Sequence, residues 1–316
     1  PDLVVVAPAT ANIIAKMANG IADDLISTTL LATPRPIVIA PAMNNGMWKA
    51  PATQTNMTTL RDRGVHVVGP GSGYLACGDV DTGRMSEPGD IVEAICEVLN
   101  PVPQDLAGKR IVITAGPTHE PIDPVRFIGN RSSGKMGIAL AGEAARRGAE
   151  VTLVLGPTSL DVPCGVECVR VQTAAEMLQA ALNAFQTADA AICAAAVADY
   201  TPVSPADHKL KKAKERLDCI ELVETVDILA ELSRQKGERR VIGFAAETDN
   251  VVEYAEHKLT RKGCDAIIAN DVSRADSGFG TDTNKAWIVR TAGTQELPVL
   301  TKPQLADTIL DLLKNN

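Results

Sequence analysis

The chain has 316 residues, 45% hydrophobic and 22% charged, with 39 acidic against 31 basic side chains and a formal charge of −8. That length allows two domains, and the acidic balance argues against nucleic acid as the main partner, because phosphate backbones are met by clustered Lys and Arg. No apolar stretch reaches the roughly 18–20 residues that span a bilayer, and no secretory signal precedes the first apolar run.

Leu3-Val4-Val5-Val6 follows Pro1-Asp2 directly. A β-branched run of this kind reads as a strand buried on both faces, so the chain is expected to be an amino-terminally shortened piece of its first domain. Further strands are predicted near 36–40 and 65–68, with helices near 11–19, 22–32 and 89–99. Pro101 and Pro103 then break the pattern in a linker over 101–107. Beyond it, strands are predicted near 110–114, 151–155, 189–194, 241–245 and 265–269, and helices near 135–147, 174–186, 226–235, 250–262 and 303–314. Thr173 and Glu176 have capping-box spacing. Residues 284–300 read as a β-hairpin turning at Gly293. Strands alternating with helices predict an α/β protein of two Rossmann-like or flavodoxin-like parallel-sheet domains, the first incomplete, over 1–100 and 108–316.

Seven cysteines, at 77, 96, 164, 168, 193, 219 and 264, are scattered and odd in number. They suit a reducing cytoplasm rather than a disulfide framework. Cys164 and Cys168 are the one close pair, with no second pair to complete a zinc site.

The segment Thr114–Gly137 reads as a long polar loop between a buried strand and a helix. Such loops lie outside the carboxyl ends of strands, where open α/β sheets bind ligands. Ser132, Ser133 and glycine-flanked N–H groups at the helix start make an anion site. GNRSSGKM (129–136) approaches a P-loop, but Met136 stands where the magnesium-binding hydroxyl belongs. The G-x-G-x-x-G fingerprint of nicotinamide enzymes is absent.

Four further segments lie at strand ends or between elements. The small residues Ala194-Ala195-Ala196 let a flat ligand approach the backbone, and Asp199 is either an acceptor for it or an ordinary turn residue. The basic run His208–Lys214, inside a long loop, is either a solvated face or a group that closes over a triphosphate. Phe244 ends a strand, and Lys258 and Lys262 share one face of the next helix, as a cradle for an anion or as surface decoration. Asn270 adds polar groups to the same edge.

TAGPT, GNRSSGKMG, AAAVADY, KLKK, GFAAET and ANDVS occur in this order. Together they resemble phosphopantothenate–cysteine ligase, the carboxyl-terminal half of the bacterial bifunctional coenzyme A biosynthesis flavoproteins, over residues 108–316. The resemblance implies a two-step ligation. CTP with Mg²⁺ would activate the carboxylate of 4′-phosphopantothenate as an acyl-cytidylate, and the amine of cysteine would then displace CMP. Asn130 would handle the acyl-cytidylate, and Lys209 would serve activation. Cys193, Ala194, Ala195, Asp199, Lys209, Val226, Asp227, Ile228, Leu229, Phe244, Lys258 and Lys262 would contact CTP. Val226 stands where the family commonly has proline, and the segment from Lys212 to Val226 is short for the family. The metal ligands are left open.

In residues 1–100, Pro8-Ala9-Thr10-Ala11-Asn12, Pro41-Ala42-Met43-Asn44-Asn45-Gly46-Met47-Trp48 and the Cys77 segment Leu75–Met85 are similar to motifs of the flavin-dependent cysteine decarboxylases. Read alone, Cys77 is an idle thiol and Met43 and Met47 pack a core. By resemblance, Thr10 and Asn12 would lie near FMN, Asn44 with Met43 and Arg84 would bind substrate, and Cys77 would protonate the enethiol left by decarboxylation. None of the histidines at 66, 119, 208 and 257 stands at the family's catalytic position. The chain is therefore expected to bind FMN poorly and not to decarboxylate. The resemblance also implies homo-oligomers, dimeric through ligase halves and trimeric through decarboxylase halves. The competing readings are a non-catalytic flavin-fold binding subunit and a nicotinamide-dependent oxidoreductase.

Overall fold

A computed structural model of the chain describes residues 1–74, 80–99, 101–211, 219–274, 277–278 and 280–314. Contacts divide it into two units, Pro1–Val102 and Pro103–Asn316. The expected clamp residue Cys77, together with Lys212 and Lys214 of the basic run, lies outside the described residues.

In the first unit a parallel three-stranded sheet joins β1 (Val4–Ala9), β2 (Ile37–Pro41) and β3 (His66–Val67) in that order. Around it lie α1 (Ala11–Asn19), α2 (Leu25–Ala32), α3 (Asn45–Lys49), α4 (Pro51–Asp62) and α5 (Pro88–Leu99), with an antiparallel hairpin of β4 (Gly71–Tyr74) and β5 (Val80–Arg84). Ile14, Ile39, Met57 and Leu60 form its core. Three expectations are corrected here. β1 is not buried on both faces: among the described residues it pairs with β2 alone, and Val5 is 38% exposed. Val80–Arg84, within the Leu75–Met85 segment expected to be a loop, is instead strand β5 paired with β4. Helix α4 was missed because its threonines hide the pattern, although Pro51 at its start and Thr53, Met57 and Leu60 on its buried face mark it.

The second unit is built on eight strands in the order β10-β9-β6-β11-β14-β15-β16-β17. They are β6 (Arg110–Ala115), β9 (Glu150–Leu155), β10 (Val166–Arg170), β11 (Ala190–Cys193), β14 (Arg240–Glu247), β15 (Ala266–Asp271), β16 (Thr283–Arg290) and β17 (Gly293–Thr301). β10 through β15 run parallel, whereas β16 and β17 turn antiparallel, so the sheet is mixed rather than wholly parallel. Side chains alternate between two cores, as a sheet covered on both faces requires. Ile111, Ile113, Ile268 and Ile288 face α6 (Lys135–Arg146) and α10 (Lys302–Leu310). Val112, Ile267, Ala269 and Val289 face the side of α7 (Ala174–Phe185), α8 (Ile228–Arg234) and α9 (Val251–Lys262).

The capping box at Thr173 is present, with Glu176 N–H donating to the Thr173 hydroxyl at 3.2 Å. The long segments hold structure that periodicity did not reveal. β7 (His119–Pro121) pairs with β8 (Phe127–Gly129) inside the Thr114–Gly137 loop, and β12 (Tyr200–Pro202) pairs with β13 (Leu222–Glu224) across the Asp199–Thr225 loop. From β6 the chain runs outward to β9 and β10, then returns to β11 on the other side of β6. The crevice between the carboxyl ends of β6 and β11 is thus a topological switch point, the expected ligand position in such sheets.

Candidate active site

A cavity of about 780 Å³ opens at that switch point. Its floor is Thr114 at the end of β6, Cys193–Val197 after β11, Phe244–Ala246 on β14 and Asn270 on β15. The segment after β11 is laced to the one after β6. Ala196 N–H donates to Gly116 O at 2.9 Å, Thr118 N–H to Ala196 O at 3.3 Å, and Ala198 N–H to the buried Thr118 hydroxyl at 3.0 Å. Small side chains permit this: a Cβ added to Gly156 would sit 1.9 Å from Pro117 O.

Asn130, after β8, is tied across the crevice. Its amide donates to Ala196 O at 3.1 Å and Val197 O at 3.0 Å, and among the described residues nothing hydrogen-bonds its carbonyl oxygen. The amide is thereby oriented with its acceptor free for a ligand. Ser132, Ser133 and Gly134 lead into α6, whose cap residue Gly134 is left-handed with φ 81° and offers no side chain to the first N–H groups. Gly137 brings the helix against β6, since an added Cβ would lie 2.3 Å from Ala115 Cβ.

On the other wall, the Lys258 ammonium donates to Phe244 O at 2.8 Å, and Lys262 forms an ion pair with Asp227, the cap of α8. The Lys262 side chain is 13% exposed, so these lysines are not surface decoration. Burial pushes Lys258 below the usual lysine range, with Glu247 and Asp227 opposing. Burial also raises Asp227, but Lys262 and the Ala230 N–H outweigh it and hold the carboxyl below its ordinary value. The Cys193 thiol, half-buried at the floor, is pushed up to about 12 by burial and is a packing group rather than a nucleophile.

The cavity therefore gathers Asn130, Cys193, Ala194, Ala195, Asp199, Val226, Asp227, Ile228, Leu229, Phe244, Lys258 and Lys262. Asp199 lines the cavity, and its carbonyl accepts from Thr225 N–H at 2.9 Å. Lys209 is not among the lining residues. It is exposed, and its neighbour Leu210 is held by the β7–β8 turn through Asp123 and Arg126. Asn284 and Lys302 are among the lining residues that escaped the sequence reading, whereas Lys135 lies within the GNRSSGKM segment but was given no role of its own. The spacing of Thr301 and Gln304 would have placed Lys302 in a first helical turn, where a lysine opposes the helix dipole.

In the first unit, Thr10 caps α1 with its hydroxyl accepting from Ile13 N–H at 3.4 Å, and Asn12 is exposed in that first turn. Ala42 N–H donates to Ala9 O at 3.0 Å, and Met43 N–H to Gly83 O at 2.9 Å, which joins the ends of β1, β2 and β5. Asn44 caps α3, Met43 packs on the core, and Arg84 pairs with Glu87 at 2.6 Å. Met43 thus has the packing role and also lies beside the hairpin. A hydroxyl, an amide and a helix start at one strand end are donors that fit a flavin phosphate.

Residues 106–316 match the family model of the DNA/pantothenate metabolism flavoprotein C-terminal domain, and residues 1–100 match the Flavoprotein model. A coenzyme A biosynthesis bifunctional protein CoaBC of Bacillus subtilis is 49% identical over 312 residues, covering 98% of this chain and 77% of the relative. The chain belongs to the family of bifunctional coenzyme A biosynthesis flavoproteins. The CoaBC protein of Escherichia coli is likewise 49% identical, over 314 residues covering 98% of this chain and 77% of that relative. A crystal structure of the C-terminal domain of a CoaBC protein superposes with a TM-score of 0.57 at 46% identity, covering 67% of this chain and 96% of that one. The Flavoprotein match over residues 1–100 gives no support to the expectation of a shortened first domain.

Proposed function

We propose that the second unit joins 4′-phosphopantothenate to cysteine in two steps at the cavity between β6 and β11, using CTP, and that the first unit, whose residues 1–100 match the Flavoprotein model, carries the flavin-dependent decarboxylation of the product, against the expectation of an inactive decarboxylase half. One observation carries the ligase reading. Asn130 and the backbone after β11 are locked together over a cavity that also holds Phe244, Asp227, Lys258 and Lys262.

A carboxylate is a poor electrophile, and cytidylation converts its oxygen into a good leaving group. In the first step the carboxylate oxygen bonds to the α-phosphorus and the bond to the bridging oxygen breaks, so pyrophosphate leaves with the electron pair. In the second, the cysteine nitrogen bonds to the acyl carbon, CMP departs with the oxygen, and the amine loses a proton. Asn130 fits the mixed anhydride because its free acceptor and its fixed donors orient a ligand without titrating. Lys209 would reach this site from the segment that Asp123 and Arg126 hold.

Among the described residues no group of three or more His, Cys, Asp or Glu side chains is arranged for a metal. A magnesium ion would accordingly be carried by the nucleotide phosphates, its usual partners. FMN at Thr10 and Asn12 would supply oxidation of the cysteinyl thiol. Among the described residues no helix is long and apolar enough to cross a membrane. Association into homo-oligomers is part of the proposal.

The test is incubation of the chain with 4′-phosphopantothenate, cysteine and CTP–Mg²⁺ while pyrophosphate and CMP are followed. Equal turnover with cysteine and phosphopantothenate omitted, or no turnover, would sink the ligase reading. Lys209→Gln is expected to abolish pyrophosphate release, whereas Asn130→Asp, which removes both donors to Ala196 and Val197, is expected to allow it and to stall product formation.

A further inference from the structure

The charged groups around the cavity fall into two unlike sets. Near Lys258 and Lys262 stand Asp199, Asp227 and Glu247, and Lys262 is paired to Asp227. Near Lys302 the charged neighbours are Lys135 and Asp282, and the Asp282 carboxylate is taken by Lys135 at 2.7 Å. Lys302 is 6% exposed, and among the described residues no carboxylate touches it. Its ammonium donates to Thr281 O, to Asn284 Oδ1 at 3.1 Å and, most weakly, to Gly278 O at 3.4 Å.

A buried cation held by neutral oxygens keeps most of its desolvation cost, which an anion in the cavity would offset. The placement is doubly unfavourable without one. Lys302 and Lys135 are the first residues of α10 and α6, where the helix dipoles favour acidic groups, and neither helix has an acidic residue in its first turn. Burial and Lys135 both pull Lys302 below the usual lysine range, against Asp282. Two lysines and the start of α6, whose cap residue Gly134 lends no side chain and where the Ser133 hydroxyl accepts from Lys135 N–H at 3.5 Å, therefore converge on one part of the cavity wall, beside Ser132 and Asn284.

We propose that Lys302, with Lys135 and the start of α6, holds the terminal phosphates of the nucleoside triphosphate and the pyrophosphate that leaves. This rests on the nucleotide-dependent ligation proposed above. The nucleotide then lies with its uncharged base toward the charge-compensated pair Lys258 and Lys262, and with its polyphosphate toward the uncompensated lysine. As the bond from the α-phosphorus to the bridging oxygen breaks, negative charge grows on the pyrophosphate, where Lys302 meets it. The weak contact to Gly278 O is the one that a phosphate oxygen replaces.

Calorimetric titration of the full chain with pyrophosphate, CTP and CMP separates the possibilities. Lys302→Met and Lys135→Met are each expected to weaken pyrophosphate and CTP by about tenfold or more, and to leave CMP within about twofold. Unchanged pyrophosphate affinity in the variants, or a parallel loss of CMP, overturns the proposal. If Lys302→Met fails to melt cooperatively, Lys135→Met, whose side chain is partly exposed, decides by the same criterion. A wild-type chain that binds CMP but not pyrophosphate overturns this proposal alone, and one that binds neither CMP nor CTP overturns the ligase reading as well.

Discussion

Replacing Gly137 with alanine tests how α6 is seated. The added Cβ would lie 2.3 Å from Ala115 Cβ, 3.0 Å from Ala115 Cα and 3.3 Å from Thr114 O. Carbon atoms pack favourably at about 3.5–4.0 Å, so helix and strand must part by about 1 Å. Alanine's advantage in a helix is about 0.5–1 kcal/mol, and overpacking costs about 1–3 kcal/mol, which leaves a net loss of up to about 2.5 kcal/mol, with a midpoint of about 1 kcal/mol. At about 2–4 °C per kcal/mol for a unit of this size, Tm should fall by up to about 10 °C. Displacing the start of α6 also moves a wall of the cavity. A misplacement of about 1 Å can cost about 100-fold in rate, so pyrophosphate release should fall more steeply than stability does. Gly142→Ala in the same helix is the control. Its Cβ would meet Pro163 at an ordinary 3.4 and 3.5 Å, so stability and turnover should be unchanged or slightly raised. Scanning calorimetry and pyrophosphate release on both variants settle the matter. If Gly137→Ala melted with Gly142→Ala and kept full turnover, close seating of α6 on β6 would not be what shapes the site.

Thr173→Ala removes the hydroxyl that accepts from Glu176 N–H and should cost about 1 kcal/mol, measured by denaturant melts, with turnover unaffected because α7 lies away from the cavity lining. Arg147 holds the Asp105 carboxyl down to about 2, with burial opposing and Lys314 assisting. A depressed folded pKa gives stability that is present above the ordinary carboxylate value and lost as pH falls through the folded one. The Tm difference between the wild type and Asp105→Asn should therefore shrink between pH 4 and 2, and a difference constant across that window would refute the assignment. Alkylation at pH 8, mapped by mass spectrometry, should label the exposed Cys164 and Cys219 well before Cys193, whose thiol is pushed up to about 12; equal labelling of Cys193 would contradict that shift.

The strands and helices of the second unit were legible because β-branched runs and capping residues act locally. Ile111-Val112-Ile113 and the box at Thr173 leave little choice of conformation. Pairing was less legible. β7–β8 and β12–β13 are three-residue strands in polar segments, and such strands exist through long-range hydrogen bonds rather than through any pattern of their own. β10 was passed over for the same reason: Val166–Arg170 is short, and a sheet edge leaves it half-exposed. In the first unit, β1 carries an interior strand's composition at an edge of the sheet.

Residue type and spacing by themselves determined the α/β class and the order of the segments, while Asn130, Phe244, Lys258 and Lys262 were singled out by the resemblance to the ligase family and are brought together at the cavity by the fold. The tertiary structure alone decided which charges are compensated. Asp227 lies 35 residues from Lys262, and Lys302 is 167 residues from Lys135, with nothing in the sequence to join them. Whether a lysine is neutralised depends on what the folded chain brings within a few ångströms of it, and on how little water remains there. That is why the Lys258–Lys262 pair could be noticed from its spacing, while Lys302 could be recognised only once its burial and its neighbours were known.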